Sequence, residues 1–160
     1  MTKSTLLRMD NVGIMVNDLK AAIAFFIELG LELEGETTVE GDWVDRTIGL
    51  TDVQCAIAML RVPDGHGRLE LSQFKRPEAA HVLPNNPPVN TLGLHRVMFA
   101  VTDINDTIVR LKKHGAELIG EVVNYEDIYL LCYLRGPEGI IVALAQQLGN
   151  KSVKDILENR

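Results

Sequence analysis

The sequence predicts an α+β fold of two tandem βαβββ modules. Three observations predict this fold. The two halves of the chain resemble each other, and each half runs through the same order of strand and helix patterns. In addition, 160 residues with 46% hydrophobic and 24% charged side chains are typical of an ordinary globular chain, not of a disordered or coiled-coil one.

The internal repeat is visible when the chain is shifted by 85 positions, which lays residues 11–36 over residues 96–121. Nine of these 26 positions are then identical, whereas chance gives roughly one or two. The identical pairs are Val12/Val97, Val16/Val101, Asp18/Asp103, Ile23/Ile108, Gly30/Gly115, Glu32/Glu117, Leu33/Leu118, Gly35/Gly120 and Glu36/Glu121. The repeat predicts that one structural unit occurs twice.

Each repeat begins with a strand pattern that is followed by a helix pattern. Asp18 and Asp103 are suited to cap the helix amino terminus, and Gly30 and Gly115 are suited to end the helix in a left-handed conformation. The apolar residues between them recur at helical spacing and are Leu19, Ile23 and Phe26 in one copy and Ile104, Ile108 and Leu111 in the other. We therefore expect one amphipathic helix in each module.

Three further strands are predicted after each helix. They lie near 33–39, 54–62 and 68–74 in the first module and near 117–124, 129–135 and 140–146 in the second. Turn sequences at 63–65 and 137–139 separate the last two strands of each module, and they are only 74 positions apart. The first module therefore carries about eleven extra residues near 41–52, in which residues 43–46 can form a helical turn.

These patterns divide the chain into four segments. Residues 1–75 form the first module, 76–93 a proline-rich linker, 94–148 the second module and 149–160 a helical tail. The linker holds four of the six prolines, which favours an extended segment. Ser152 is suited to cap the tail helix, which we expect to end near Asn159.

Charge and cysteine content exclude several classes of protein. The net charge of −6 leaves no basic footprint for nucleic acid or an anionic membrane. We find no signal-peptide pattern and no apolar run of membrane-spanning length. Cys55 and Cys132 lie in apolar runs without metal-binding spacing, which indicates buried free thiols. We therefore expect a cytoplasmic protein without nucleic-acid or membrane partners, and its open sheet edges favour a homodimer.

The order and spacing of these motifs resemble the vicinal oxygen chelate superfamily, which includes glyoxalase, methylmalonyl-CoA epimerase, extradiol dioxygenases, and the fosfomycin and bleomycin resistance proteins. The resemblance rests on two V-x-x-x-V-x-D motifs, each followed by a helix that ends in glycine, and on a Pro-Asp-Gly or Pro-Glu-Gly turn before each last strand. It covers about residues 8–148. It implies that the two modules form a cup-shaped mixed β-sheet with helices on the outside, and that the protein binds a small molecule. One fold hosts many reactions in this superfamily.

The resemblance also implies a site for one divalent metal, held by His, Gln or Glu side chains from the first and last strands of each module. The matching positions in this chain are Asn11 and Arg96 in the first strands, and Glu70 and Ala143 in the last strands. Glu70 can bind a cation and Asn11 offers an amide oxygen, whereas Ala143 has no donor atom and Arg96 is a permanent cation. We therefore expect a degraded metal site and no cofactor.

Strand alternation turns Arg96 toward the predicted cavity and turns His95 toward the helix layer, where we expect a structural role for the histidine. We hypothesise that Arg96 takes the position of the metal ion and pairs with Glu70, because an unpaired buried charge is costly. The alternative is that this pair only neutralises a filled core.

Other residues are predicted to contact a ligand. Met98 shares the inward strand face of Arg96, while Trp43 and Arg46 lie in the insert, where Trp43 either fills a hydrophobic gap or stacks on the ligand. Tyr133 lies on a strand face that is either the cavity side or the solvent side. The predicted site therefore contains Glu70 as the catalytic residue and Arg96, Asn11, Met98, Trp43, Arg46 and Tyr133 as substrate-binding residues.

Three functions stay open from the sequence. The first is a glyoxalase-like lyase or isomerase that acts on a carbonyl-bearing or anionic substrate, with Glu70 as general base and Arg96 stabilising a developing oxyanion. The second is a metal-independent protein that sequesters a small molecule or drug, as bleomycin resistance proteins do. The third is a domain that serves dimerisation or regulation.

Overall fold

A computed structural model describes residues 3–81, 85–151 and 153–158. The chain divides into two compact units, Met1–Ala80 and His81–Arg160, which we call unit 1 and unit 2. Each unit contains a four-stranded mixed sheet and a long helix between its first and second strands. The predicted α+β class and the two βαβββ modules are therefore confirmed.

Unit 1 forms its sheet from four strands in the order β1-β4-β3-β2, with β1 parallel to β4 and the other pairs antiparallel. Its elements are β1 (Val12–Met15), α1 (Leu19–Leu29), β2 (Glu32–Glu40), α2 (Asp42–Ile48), β3 (Gln54–Arg61) and β4 (Arg68–Arg76). Helix α1 packs against β3 and β4. We call the sheet face that points away from α1 the open face of unit 1.

Unit 2 repeats this arrangement in the strand order β5-β8-β7-β6. Its elements are β5 (Val97–Ala100), α3 (Ile104–Lys112), β6 (Glu117–Tyr125), β7 (Tyr129–Arg135), β8 (Ile141–Gln147) and a short helix α4 (Val153–Glu158). Helix α3 packs against β8, and the face away from α3 is the open face of unit 2. The helical tail is present, but Ser152, its predicted cap, lies outside the described residues.

The strand register confirms the internal repeat. Gly13 on β1 lies opposite Glu70 on β4, and Met98 on β5 lies opposite Ala143 on β8. Gly13 and Met98 are 85 positions apart, which is the shift that aligns the two halves of the sequence. The same backbone positions therefore face each other in both units, although the side chains differ.

Both long helices begin at the predicted aspartates. The Asp18 carboxylate accepts a hydrogen bond from the backbone N–H of Ala21 at 3.0 Å, and the Asp103 carboxylate accepts one from Asp106 at 3.0 Å. Each bond satisfies one backbone donor that the first helical turn leaves without an intrahelical acceptor. The predicted helix starts are confirmed.

The two helices end differently, and one prediction needs correction. Helix α1 ends directly before Gly30 as predicted, but α3 ends at Lys112, three residues before Gly115. Gly115 still closes the turn with a φ of 87°, and the next backbone N–H, that of Ala116, donates to the Leu111 carbonyl at 3.2 Å. The last turn is tightened by shorter-range bonds, so the regular helix stops earlier.

A glutamine in the last strand of each unit also holds the start of the helix. The Gln73 side-chain oxygen accepts from the Leu19 N–H at 3.1 Å, and the Gln146 side-chain oxygen accepts from the Ile104 N–H at 2.8 Å. The same contact thus ties the last strand to the helix in both units. Helical periodicity does not predict this contact, although aligning the two last strands places these glutamines at equivalent positions.

The core of each unit lies between its helix and its sheet. Its largest fully buried side chains are Phe25, Phe26, Leu60 and Leu71 in unit 1, and Ile104, Leu111, Leu134, Val142 and Leu144 in unit 2. Along the helices the buried residues recur at a spacing of three or four, as Leu19, Ala22, Phe26 and Leu29 do in α1 and Ile104, Ile108 and Leu111 do in α3, whereas residues 141–145 of β8 are buried without interruption. The predicted helical periodicity is therefore seen in the buried residues.

The insert of unit 1 forms helix α2, which confirms the predicted helical segment and extends it. Val44 of this helix is buried with Val53 and Cys55, and they pack on partly buried residues of the sheet: Val39, Ile57 and Phe74. Cys55 lies opposite Phe74 on the open face. Helix α2 therefore covers one end of the open face of unit 1.

The end of the proline-rich segment is attached to unit 2. The Arg135 guanidinium donates to the Pro87 carbonyl at 2.6 Å and to the Gly139 carbonyl at 2.9 Å. Gly139 has a φ of 73°, and a Cβ built there would lie 2.5 Å from the Asn85 carbonyl oxygen. The chain before β5 therefore lies tightly against the turn that precedes β8.

Both cysteines are buried and free, as predicted. Burial raises the pKa of the Cys132 thiol to about 11. Burial also raises the pKa of Cys55, and the nearby Glu70 charge adds to this effect. Among the described helices, none has the length and apolarity that crossing a bilayer requires.

Candidate functional site

Glu70 lies in the middle of the open face of unit 1. It is half-buried on β4, opposite Gly13 on one side and Met59 on the other. The Ser72 hydroxyl donates to its carboxylate at 3.5 Å. No heavy atom would lie within 4 Å of a Cβ at Gly13, so there is open space beside the carboxylate. This arrangement leaves Glu70 partly desolvated and still accessible to a small molecule.

Two further residues of this face were not identified as neighbours of Glu70 from the sequence. Ser72 is buried, and its hydroxyl lowers the pKa of the Cys55 thiol by hydrogen bonding, against the larger effect of burial. Glu70, Ser72 and Cys55 therefore form one group of interacting side chains on the open face. Strand alternation places Glu70 and Ser72 on the same face, and this was the signal that could have found Ser72.

Asn11 lies directly before β1 and is half-buried. Its amide nitrogen donates to the Asp10 carboxylate at 3.5 Å, which orients the side chain along the chain. Asn11 is the repeat equivalent of Arg96, and each lies one residue before the first strand of its unit.

The structure brings together two predicted site residues of unit 2, Arg96 and Tyr133. Arg96 is exposed and lies one residue before β5, and its Nη1 donates to the Tyr133 hydroxyl at 2.9 Å. The guanidinium carbon lies 5.5 Å from the centroid of the Tyr133 ring, within cation–π distance. Tyr133 itself is half-buried on β7.

His95 is placed differently from the prediction. Its ring lies edge-to-face on the Tyr133 ring, with 5.6 Å between the centroids, and does not point into the helix layer. Strand β5 begins only at Val97, so residues 95 and 96 precede the ladder and strand alternation does not separate their side chains. His95 and Arg96 therefore both contact Tyr133.

Met98 and Tyr133 flank Ala143 on the open face of unit 2. Ala143 lies opposite both of them in the register and is fully buried, whereas Met98 is 42% exposed. The face of Tyr133, which the sequence left open, is thus the one away from α3. It presents a mostly apolar surface beside the Arg96 guanidinium.

The insert residues lie on the outside of helix α2. Trp43 is 61% exposed and does not fill a hydrophobic gap, because its neighbour Val44 takes that role. The Arg46 guanidinium lies 3.5 Å from the Asp42 carboxylate in a solvent-exposed pair. A ligand-stacking role of Trp43 and a binding role of Arg46 stay predictions, as does the Glu70–Arg96 pair.

A family model described as the Glyoxalase/Bleomycin resistance protein/Dioxygenase superfamily matches residues 10–133, which is more than half of the chain. The chain belongs to this superfamily. The resemblance of its repeated motifs is therefore confirmed. A search of curated proteins finds no match.

Solved structures place this superfamily member among glyoxalase-fold proteins. A glyoxalase family protein from Bacillus cereus is 54% identical, with 93% of this chain and 99% of that chain covered and a TM-score of 0.88. A mutant of the fosfomycin resistance protein FosX from Listeria monocytogenes, complexed with Mn(II) and 1S,2S-dihydroxypropylphosphonic acid, is 11% identical, with coverages of 97% and 98% and a TM-score of 0.63. A glyoxalase I mutant from Zea mays is 18% identical, with coverages of 89% and 46% and a TM-score of 0.63. The last two show the fold alone.

Two of the four positions that match the superfamily's metal ligands carry no donor for a divalent cation. In unit 2, Ala143 has no donor atom, and Arg96 is a permanent cation whose guanidinium is bonded to the Tyr133 hydroxyl. In unit 1, only Glu70 and Asn11 carry oxygen donors. A guanidinium near a divalent ion is repelled by several kcal/mol within ~4 Å even at an effective dielectric of 20.

Proposed function

We propose that the protein is a lyase- or isomerase-type enzyme that moves a proton on a small carbonyl-bearing or anionic substrate, with Glu70 as general base. One observation carries this proposal. The Glu70 carboxylate is half-buried, and it lies beside the open space left by Gly13. A general base needs both features, since partial desolvation makes proton transfer easier and access lets a carbon acid approach within hydrogen-bond distance.

The reaction begins at the carbon next to the substrate carbonyl. Glu70 takes the proton from that carbon, and the electrons of the broken C–H bond move to the carbonyl oxygen, which gives an enolate. Return of the proton to a neighbouring atom completes an isomerisation, and departure of a leaving group completes an elimination. Ser72 holds the carboxylate by donating to it at 3.5 Å. Stabilisation of the enolate oxygen by Arg96 stays a prediction.

Deuterium exchange tests this proposal without knowledge of the full reaction. The protein is incubated in D₂O with a panel of α-ketoaldehydes, their thiol hemithioacetals and 2-oxo acids, and exchange next to the carbonyl is followed by NMR. We expect exchange with the wild-type protein and a loss of about 100-fold or more in Glu70→Gln. Glu36→Gln, which removes an exposed carboxylate from the same sheet, is the matched control and should exchange at the wild-type rate. Equal rates in the two variants would contradict the proposal.

A second variant tests the open space instead of the carboxylate. Gly13→Val fills the space beside Glu70 and suits an exposed strand position, so we expect an unchanged melting temperature. The exchange rate should fall by about tenfold or more, because the substrate no longer fits beside the base. A wild-type exchange rate in this variant would show that the substrate does not use this space.

Binding without turnover is the alternative function. The difference between the units favours it, because Ala143 occupies in unit 2 the position that Glu70 has in unit 1. A single carboxylate is enough for a binding site, but it leaves few groups for acid–base chemistry. The alternative requires that the wild-type protein binds a small molecule with no exchange. We also propose that the protein is a homodimer in the cytoplasm. Light scattering of the purified protein would test the dimer.

A further inference from the structure

We propose that unit 2 carries an anion subsite, built by Arg96 and Tyr133, that binds the carboxylate of a small organic acid with an apolar body. The inference deepens the proposed function and rests on it in one respect, namely that the bound acid belongs to the substrate. The hydrogen bond between Arg96 and Tyr133 and the apolar surface beside it carry the inference.

The hydrogen-bond geometry leaves donors available to a ligand. Tyr133 accepts a bond from Arg96 at 2.9 Å, so the phenolic proton remains free to donate to another oxygen. The Arg96 guanidinium has five N–H groups, and this bond uses one of them. A carboxylate can therefore bridge an Arg96 N–H and the Tyr133 O–H, in the planar geometry that guanidinium groups favour.

Arg96 is also held in place before a ligand arrives. Its guanidinium lies 5.5 Å from the Tyr133 ring centroid, and the His95 ring packs edge-to-face against the same ring at 5.6 Å. Holding the guanidinium by stacking reduces the entropy that a long side chain loses when it binds a ligand. An exposed arginine without such contacts would lack this preorganisation.

Among the described residues of unit 2, no carboxylate forms an ion pair with Arg96. The described ion pairs of this unit join Arg110 to Asp106 and Lys154 to Glu158. Arg135 shares the strand and face of Tyr133, but its guanidinium is bonded to two backbone carbonyls. Of these two arginines, Arg96 is the exposed one and makes one hydrogen bond where Arg135 makes two, so it is the more accessible to an anion.

The neighbouring surface defines the rest of the ligand. Ala143 lies opposite Met98 and Tyr133 and is fully buried, so the accessible apolar surface here comes from the Met98 side chain and the half-buried Tyr133 ring. Met98 is 42% exposed and offers a flexible apolar contact. An inorganic anion would leave this surface uncovered, whereas an organic carboxylate with an aliphatic or aromatic body covers it.

Titration with simple carboxylates tests the subsite. Acetate, butyrate, benzoate and phenylacetate are titrated into the full chain by NMR, and benzamide serves as the neutral analogue of benzoate. We expect benzoate to bind more tightly than acetate and about tenfold more tightly than benzamide, because the amide carries no charge for the guanidinium. Absence of binding by all four acids, or equal binding of benzoate and benzamide, would overturn the proposal.

Variants assign the binding to the two residues. Arg96→Gln should weaken benzoate binding about tenfold or more, and Tyr133→Phe should weaken it about threefold, because it removes only a neutral donor. Arg110→Gln removes an arginine from α3 and should leave the affinity within about twofold, which controls for net charge. Benzoate affinity that is unchanged in Arg96→Gln at an unchanged melting temperature would place the carboxylate elsewhere.

The subsite and the proposed enzymatic function can fail separately. Glu70→Gln should abolish deuterium exchange and keep benzoate affinity at the wild-type value if both proposals hold. Arg96-dependent benzoate binding without any exchange would contradict the enzyme and support the subsite. Exchange that needs Glu70 in a protein that binds no carboxylate would support the enzyme and overturn the subsite.

Discussion

Within each unit, the same positions of the first and last strands lie opposite each other. The side chains at these positions nevertheless differ in charge and polarity between the two units. Unit 1 presents a carboxylate, Glu70, beside the empty space of Gly13, whereas unit 2 has the apolar pair Ala143 and Met98 at these positions and a guanidinium, Arg96, nearby. The backbone arrangement of strands and helix, which we call the frame, is the same in both units, whereas the side chains of the open face differ. Equivalent backbone positions therefore carry a carboxylate in unit 1 and apolar side chains in unit 2.

The difference shows which residues fix the frame. The capping aspartates Asp18 and Asp103 and the strand glutamines Gln73 and Gln146 make the same contacts in both units. They satisfy backbone donors at the helix starts, and an unsatisfied donor there destabilises the whole unit. Residues of the open face do not satisfy these backbone donors, so they can differ between the units without loss of the helix starts.

The largest expected effect concerns the turns before the last strands. Gly139→Ala should lower the free energy of unfolding by about 3 kcal/mol, because the residue has a φ of 73° and the new Cβ would lie 2.5 Å from the Asn85 carbonyl oxygen. The equivalent Gly65 has a φ of 77° and open space around it, so Gly65→Ala should cost only about 1 kcal/mol. Urea unfolding of both variants measures the difference. Equal costs would mean that the contact at Asn85 gives way easily.

A smaller effect concerns pH and the thiol of Cys132, which occupies the position of Ala58 in unit 1. Burial raises the pKa of Cys132 from 9.0 to about 11, so the thiol ionises more readily in the unfolded chain. Its contribution is fully present below pH 9.0 and is lost as the pH rises toward about 11. This loss amounts to about 2 kcal/mol.

Unfolding of the wild type and Cys132→Ala between pH 8 and pH 11 measures this effect. The variant, which copies unit 1, is less stable at neutral pH because it leaves a small cavity, but its stability should fall less steeply with pH. Parallel pH profiles for the two proteins would contradict the assignment to Cys132.

The smallest expected effect tests the equivalence of the two frames. Gln73→Ala and Gln146→Ala each remove one side-chain acceptor from a helix start, so each should cost about 1 kcal/mol. The double variant should cost the sum, since the two contacts lie in separate units. Thermal and urea unfolding check both statements. A clearly larger cost in one unit would show that the frames are not energetically alike.

Local patterns predicted most of the frame. The helix starts at Asp18 and Asp103 and the helical insert near residues 43–46 follow from capping chemistry and periodicity, which act over a few residues. The end of α3 and the side of His95 were predicted wrongly. In both places the chain leaves regular geometry, at the tightened turn after Lys112 and before β5, and a periodic argument does not apply to irregular backbone.

The site was harder to predict because it depends on contacts between distant residues. The bond from Arg96 to Tyr133 spans 37 positions, and the bond from Arg135 to Pro87 spans 48. Such contacts follow from the register of four strands, which alternation alone does not fix. Glu70 could be chosen from the sequence because its position matches a family motif, and Ser72 could have been found by alternation along the same strand, whereas the contact of Arg96 with Tyr133 required the fold.

The glutamine contact at each helix start has a consequence for biosynthesis. Gln73 and Gln146 lie in strands that are translated long after the helices they hold, 54 and 42 residues downstream of their bonded partners. During translation, each helix therefore leaves the ribosome before its glutamine has been added to the chain. The helix gains this hydrogen bond only when the last strand of the same unit has left the exit tunnel. Folding during translation is thereby divided into two steps, and unit 1 can fold before the synthesis of unit 2 is complete.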